Sequence, residues 1–496
     1  MRVPVVSPVS FCLALVLQLA LASPALACHI PEHLIKERPD ITAEELAMIA
    51  HGGEHHVHIP YNFLEPSTCR DGMADIFPCK NVDLLAFLNL SDIGGGNGND
   101  LWGWKDPLTG KSYALVGRST GTAFIDLSDP INPVYLGNLP THSQNSAWRD
   151  IKTYGNYAYI VADFAGSHGM QVFDLTRLRA VTSPPETFTN DAHYDGFGRS
   201  HNVVINEATG FAYAVGSDTC DGGLHMINLR DPLVPDFVGC FSEDGYTHDA
   251  QCVVYSGPDL EHHGKEICIG ANIDTVTIVD VTDKKNPVML SRNSYSGWGY
   301  SHQGWMTEDQ RYFIHDDEKD EQNFGHNTKT YVWDITNLDE GVVAGAYLAD
   351  GPSIDHNQYV KGNHTYQANY RRGLRVLHLD DPSVGALTEA AYFDTYPEGD
   401  SNSFAGAWSA YPFFDDGIVL VSDINRGLFV LRANLGPQEI FSDGFESGDT
   451  TSWTTAVAAM SAFVQSLEKV ASCPVEAPAG ERSSMMTAST QLEASF

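Results

Sequence analysis

Four histidines recur at one position of an internal repeat: His201, His248, His302 and His356, separated by 47, 54 and 54 residues. The same position reads Trp104, Trp148 and Trp408 in the flanking copies, at intervals of 44, 53 and 52. Neutral imidazole is a ligand for Zn, Cu, Fe or Ni more than for Ca or Mg. One such histidine reads most simply as a strand cap. Four in successive copies predict a shared axis, and with it a transition metal (Zn, Cu or Fe) held jointly. Each is followed by a residue, Asn202, Asp249, Gln303 or Asn357, that could bond the second ring nitrogen and fix its tautomer.

Around them, the ends of the neighbouring strands supply Asp163, Asp218, Asp316, Arg371 and Asp423, joined by Arg149 and Asp150. These are candidate ligand-binding residues. Carboxylates beside imidazoles serve as metal ligands or proton acceptors, and guanidinium groups hold the carboxylate or sulfate of an acidic substrate. The run DDEKDEQNFGHN (316–327) places five acids together and reads as a solvated loop. Its oxygens could take Ca²⁺, although it lacks the glycine placement and closing Glu of an EF-hand loop. The tract HGGEHHVH (51–58) has metal-capable spacing but lies in a loop-like region. No GxSxG elbow, P-loop, GxGxxG turn or HExxH helix occurs, so serine-hydrolase, nucleotide-dependent and gluzincin chemistries have no support.

The elements that must position these residues form a repeat of Gly, an alternating apolar run, Asp or Asn, and a turn. It appears as GTAFIDLSDPINP (121–133), GMQVFDLT (169–176), GLHMINLRDPLVP (223–235), DTVTIVDVTDKKNP (274–287), KTYVWDIT (329–336), GLRVLHLDDP (373–382) and GLFVLRAN (427–434). Period-2 alternation marks each run as a strand. A second strand precedes each, as in YAYIVAD (157–163), a third lies earlier, as in HNVVIN (201–206), and a fourth follows, as in DFVGCF (236–241). Four strands at this period, seven times over, predict an all-β, seven-bladed β-propeller over residues 81–435. The last copy lacks its outer strand, and NVDLLAFLNL (81–90) has no blade of its own. The propeller is therefore expected to be closed by this N-terminal strand, which removes an exposed edge.

Composition sets the partners. With Lys+Arg 29 against Asp+Glu 64 and a net charge of -35, the chain lacks the cationic face that nucleic acid or an anionic membrane surface requires. Residues 1–27 read as a signal peptide, with Arg2, the apolar run FCLALVLQLALA (11–22) and Ala25-Leu26-Ala27 as cleavage site. No later stretch is apolar enough to be transmembrane. The expected location is extracellular or at the cell surface, with the periplasm as an alternative. Residues 28–80 form a short N-terminal extension with a helix over 41–52, and 436–496 a C-terminal tail with a sorting or anchoring role. In an oxidising compartment, Cys69/Cys79, Cys220/Cys240 and Cys252/Cys268 are close enough in sequence to pair locally, leaving Cys28 and Cys473.

The runs TIVDV and AFIDL resemble the LVIVD repeat. The segments FPCKNVDLLAFLNLSDIG (77–94), NDLWGW (99–104), YTHDAQC (246–252), YSHQGW (300–305) and DEQNFGHNTKTYVWD (320–334) are similar to those of the choice-of-anchor B family of secreted bacterial proteins. The resemblance implies a propeller at or outside the cell surface with a variable C-terminal attachment device, and no established reaction. Two functions stay open on the residues. One is a metal-dependent enzyme using the channel-mouth histidines, oxidative or a lyase/hydrolase on an acidic extracellular polymer. The other is a binding or adhesion module for an extracellular glycan or protein, without turnover.

Overall fold

Each repeat folds as an antiparallel blade in the computed structural model, which describes residues 64–436. Blade three is typical. Its strands Asn202–Asn206, Phe211–Val215, Leu224–Asn228 and Asp236–Phe241 pair in sequence order from channel to rim. The inner strands start at Gly98, Arg149, Asn202, Asp249, Ser301, Gln358 and Ala407. Each touches the inner strand of the next blade, and that of blade seven touches that of blade one. The protein is a seven-bladed β-propeller, as the period predicts.

Burial explains the patterning. Middle strands are covered on both faces by neighbouring blades, so Tyr159, Ile160 and Val161 are all buried in succession, as in sheets packed on both sides. Outer strands alternate, as Asp236–Phe241 does. The repeated acid after each apolar run has a local task. Asp126, Asp174, Asp280 and Asp334 each accept the amide of the residue two positions on, at 2.7–3.0 Å. Such an Asx turn starts the reversal into the outer strand.

Val82–Asn89 pairs antiparallel with Gly427–Ala433, from Val82 opposite Ala433 to Asn89 opposite Gly427. The first long strand among the described residues thus completes the last blade. Residues 73–80, expected in a separate extension, belong to the propeller instead. Phe77–Lys80 adds to the outer strand of blade six, and Phe77 packs against Phe393 and Phe429, each ring pair 5.3 Å apart. Burial of this phenylalanine binds the segment to the ring. The disulfides are Cys69–Cys79, Cys220–Cys240 and Cys252–Cys268, the last joining directly opposed residues of blade four. Residues 1–63 and 437–496 lie outside the described residues, and with them the expected signal peptide, helix, His-rich tract, tail, Cys28 and Cys473. Among the described residues no helix is long and apolar enough to cross a membrane.

Candidate functional site

The four histidines stand side by side at the starts of consecutive inner strands. The rings of His201 and His248 are 4.3 Å apart, those of His248 and His302 4.2 Å, and those of His302 and His356 4.3 Å. Trp148 and Trp408 flank the stack at 6.4 and 5.0 Å. Each Nδ1 has a partner. His248 donates to the carbonyl of His302 at 2.9 Å and His356 to that of Trp408. His201 lies 3.1 Å from Asp163, and His302 lies 3.3 Å from both oxygens of Asp316. Carbonyl acceptors require Nδ1–H on His248 and His356, which leaves their Nε2 lone pairs free for a ligand. Burial pushes the pKa values of His248, His302 and His356 well below the ordinary value, with neighbouring imidazoles adding to the effect. These rings are neutral at pH 7, the form that binds a metal.

Glu318 joins them from the run read as a solvated acidic loop. Its Oε1 is 3.5 Å from Nε2 of His356 and 4.0 Å from Nε2 of His302, and it accepts the Tyr370 hydroxyl at 2.7 Å. Ligand atoms of His302, Glu318 and His356 all lie within 4.8 Å of one another, and all three residues are buried. His248 and His201 sit one and two rings further along the stack, outside that group. The expectation of a solvated acidic loop is corrected: Asp316, Asp317, Asp320 and Glu321 are 0% exposed, and Asp320–Phe324 is a short helix. The loop folds inward because its polar groups bond the turn before blade five. Asp317 accepts the Tyr300 amide at 2.6 Å, the Gly299 amide at 2.8 Å and the Tyr295 hydroxyl.

The remaining predicted residues scatter. Asp163 and Asp316 reach the histidines as described. Arg149 is buried, donates to the Arg118 carbonyl at 3.1 Å and lies 3.1 Å from Nε2 of His168. Asp150 bonds Lys152 and accepts the Val203 amide at 2.6 Å. Asp218 is exposed and accepts the Gly198 amide at 2.9 Å. Arg371 lies over Tyr396 and donates to Ser401 at 2.9 Å. Asp423 accepts from Thr395, Asn425 and Arg426 at 2.9–3.0 Å. The residues following the histidines do not bond the rings. Asn202 instead donates to the His248 carbonyl at 2.9 Å, and Gln303 to that of Gln358 at 3.0 Å.

Trp104 is not the blade-one counterpart of the histidines. It pairs with Tyr113 at the far end of its strand. The inner strand bulges between Gly98 and Leu101, as blade five does around His302 and blade seven around Trp408. Asn99 occupies this bulge and donates to the Ala147 carbonyl at 3.1 Å. It lies 49 residues before Trp148, inside the spread that the 44-residue interval to Trp104 had broken.

Further along the inner strands, past the histidine position, lies a second feature, absent from the sequence reading. A cavity of about 400 Å³ is lined by Trp102, Lys152, Asp249, Trp305 and Tyr359 among others. Lys152 lies 4.7 Å above the Trp102 ring and pairs with Asp100 at 3.3 Å and with Asp150. Burial opposes its charge, yet Asp100 and Asp150 outweigh burial and hold its pKa well above the ordinary value. Burial pushes Asp249 up to about 7, with Lys152 opposing.

No family model and no curated protein matches the chain. Among solved structures, hydrazine synthase of Kuenenia stuttgartiensis is similar at 13% identity and a TM-score of 0.49, covering 68% of this chain and 95% of that one. The Cps50 (Swd1) β-propeller domain of Myceliophteria thermophila is similar at 9% identity and 0.45, covering 71% and 99%. A Lactobacillus plantarum protein is similar at 16% identity and 0.45, covering 63% and 88%.

Proposed function

We propose that the protein is an exported or cell-surface propeller of the choice-of-anchor B type that holds a transition metal at one channel mouth. One observation carries the reading: His302, His356 and Glu318 bring three ligand atoms within 4.8 Å of one another in a buried setting. Two imidazoles and a carboxylate with open positions suit non-haem Fe(II), and the same donors accept Zn or Cu. His248 and His201 extend the donor stack and would act on the metal through the rings between. Three disulfides favour an oxidising, extracytoplasmic setting. An acidic polymer substrate loses support, because Arg149 and Arg371 bond elsewhere.

The test is elemental analysis of untagged protein together with a His302→Ala/His356→Ala variant. Stoichiometric metal in the wild type, lost in the variant, supports the site. Substoichiometric metal unchanged by the variant makes the stack a structural device. A second reading, ligand binding without turnover, is favoured by the cavity further along the inner strands. Indole faces beside carboxylates suit the apolar faces and hydroxyls of a glycan.

A further inference from the structure

The turn that delivers Glu318 continues into groups that the mouth does not use. Ligand atoms of Asp320, Glu321 and His326 also lie within 4.8 Å of one another. Asp320 accepts the Tyr331 hydroxyl at 3.2 Å on Oδ2, and Glu321 accepts the Lys329 amide at 3.2 Å on Oε1. That leaves Asp320 Oδ1 and Glu321 Oε2 buried without a hydrogen-bond partner. Asp355, from the approach to blade six, is 0% exposed, and its Oδ1 is also without a partner. The charge of Asp355 interacts most strongly with Glu321, then with Asp316 and Asp320. The acidic turn therefore sets two bare carboxylate oxygens beside His326. Burying a polar atom without a partner costs about 1–3 kcal/mol, and more for a charged group. Two such atoms on one turn call for a common compensation.

We propose that Asp320, Glu321 and His326 hold a divalent cation, with His326 at its rim. This site is distinct from the mouth triad and does not rest on it. Carboxylates on one helix turn supply the oxygen ligands that hard cations such as Ca²⁺ or Mn²⁺ require. His326 Nε2 is 3.6 Å from Asp320, and its side chain is 28% exposed, so the rim gives the ion a way in. The ion would tie the acidic turn to the segment that carries His326 and so fix Glu318, two residues before Asp320.

Chelator-treated full-length protein is titrated with Ca²⁺ and, separately, Mn²⁺ while thermal unfolding is followed. The expected result is a saturable rise in Tm with at least one ion. The half-saturating concentration should increase tenfold or more in Asp320→Asn/Glu321→Gln and in Glu321→Gln alone, and stay within twofold in Glu318→Gln. His326→Ala should weaken Mn²⁺, which accepts imidazole, and leave Ca²⁺ unchanged. No shift with either ion overturns the proposal, as does a shift that survives both acidic variants or one that Glu318→Gln abolishes. Should Asp320→Asn/Glu321→Gln not fold, Glu321→Gln decides alone. Loss of transition metal from the mouth would leave this result untouched, so the two sites fail separately.

Discussion

The two ends of the channel are built from the same seven inner strands and solve burial differently. Towards the end away from the histidines an ammonium, Lys152, lies above the Trp102 indole and reaches back to Asp100 and Asp150, so the counter-charge is part of the chain. At the histidine end, neutral imidazoles and Glu318 present lone pairs towards one another. A charge pair closed on itself is structural, because each partner lowers the other's desolvation cost. An array of lone pairs with no donor between them is where a cation would fit. The contrast separates scaffold from site more sharply than burial alone, since both ends are buried.

The largest expected effect tests the scaffold end. Lys152→Met should leave Asp100 and Asp150 buried and uncompensated, costing about 3–5 kcal/mol in denaturant unfolding. A loss under about 1 kcal/mol would mean that the lysine is not what holds that end. Next, Glu318→Gln should weaken the bound transition metal by about 100-fold, or about 2.7 kcal/mol, whereas His201→Ala, two rings away, should cost under about tenfold. Equal effects would restore four equivalent ligands and erase the distinction drawn within the stack.

A third test uses acid. Burial, followed by the Arg149 charge, pushes His168 down to about 3. The unfolded chain therefore binds a proton between pH ~6.5 and ~3 that the folded chain does not. This group's contribution to stability is complete above pH ~6.5 and falls with acidification, by up to about 1.4 kcal/mol per pH unit. His168→Gln should flatten the decline of Tm across that window, and an unchanged slope would remove the histidine from the account. The smallest effect sharpens the separation of the two ends. Trp305→Leu, losing ring contacts with Tyr359 at 5.0 Å and Phe413 at 6.0 Å, should cost about 0.5–1.5 kcal/mol and leave metal content at the histidines unchanged.

Much of this was legible in the sequence. Alternation and the Asx turns fix strand identity locally, so seven copies and a spare strand sufficed for the ring and its closure. The cysteine pairs were short-range for the same reason. The four histidines were readable because a repeat converts sequence interval into spatial position. Glu318 was not, since an acidic run that solvates and one that tucks under Tyr295 and Tyr300 have the same composition. The blade-one position slipped from Asn99 to Trp104 because Trp104 matched the flanking Trp148 and Trp408 in type, and residue type alone does not set the register of a strand. Lys152 and its indole neighbours escaped notice because their partners come from different blades, and only the register across blades puts them together.

The pairing of Val82–Asn89 with Gly427–Ala433 also orders events in time. Asn434 bonds Asp83 across 351 positions of chain, so this early strand must wait for the last. At roughly 5–20 residues per second of synthesis, that wait is on the order of 20–70 s, with an apolar strand lacking its native partner. Contacts of such long range are slow to form. The polypeptide therefore cannot finish folding until its final blade has been made.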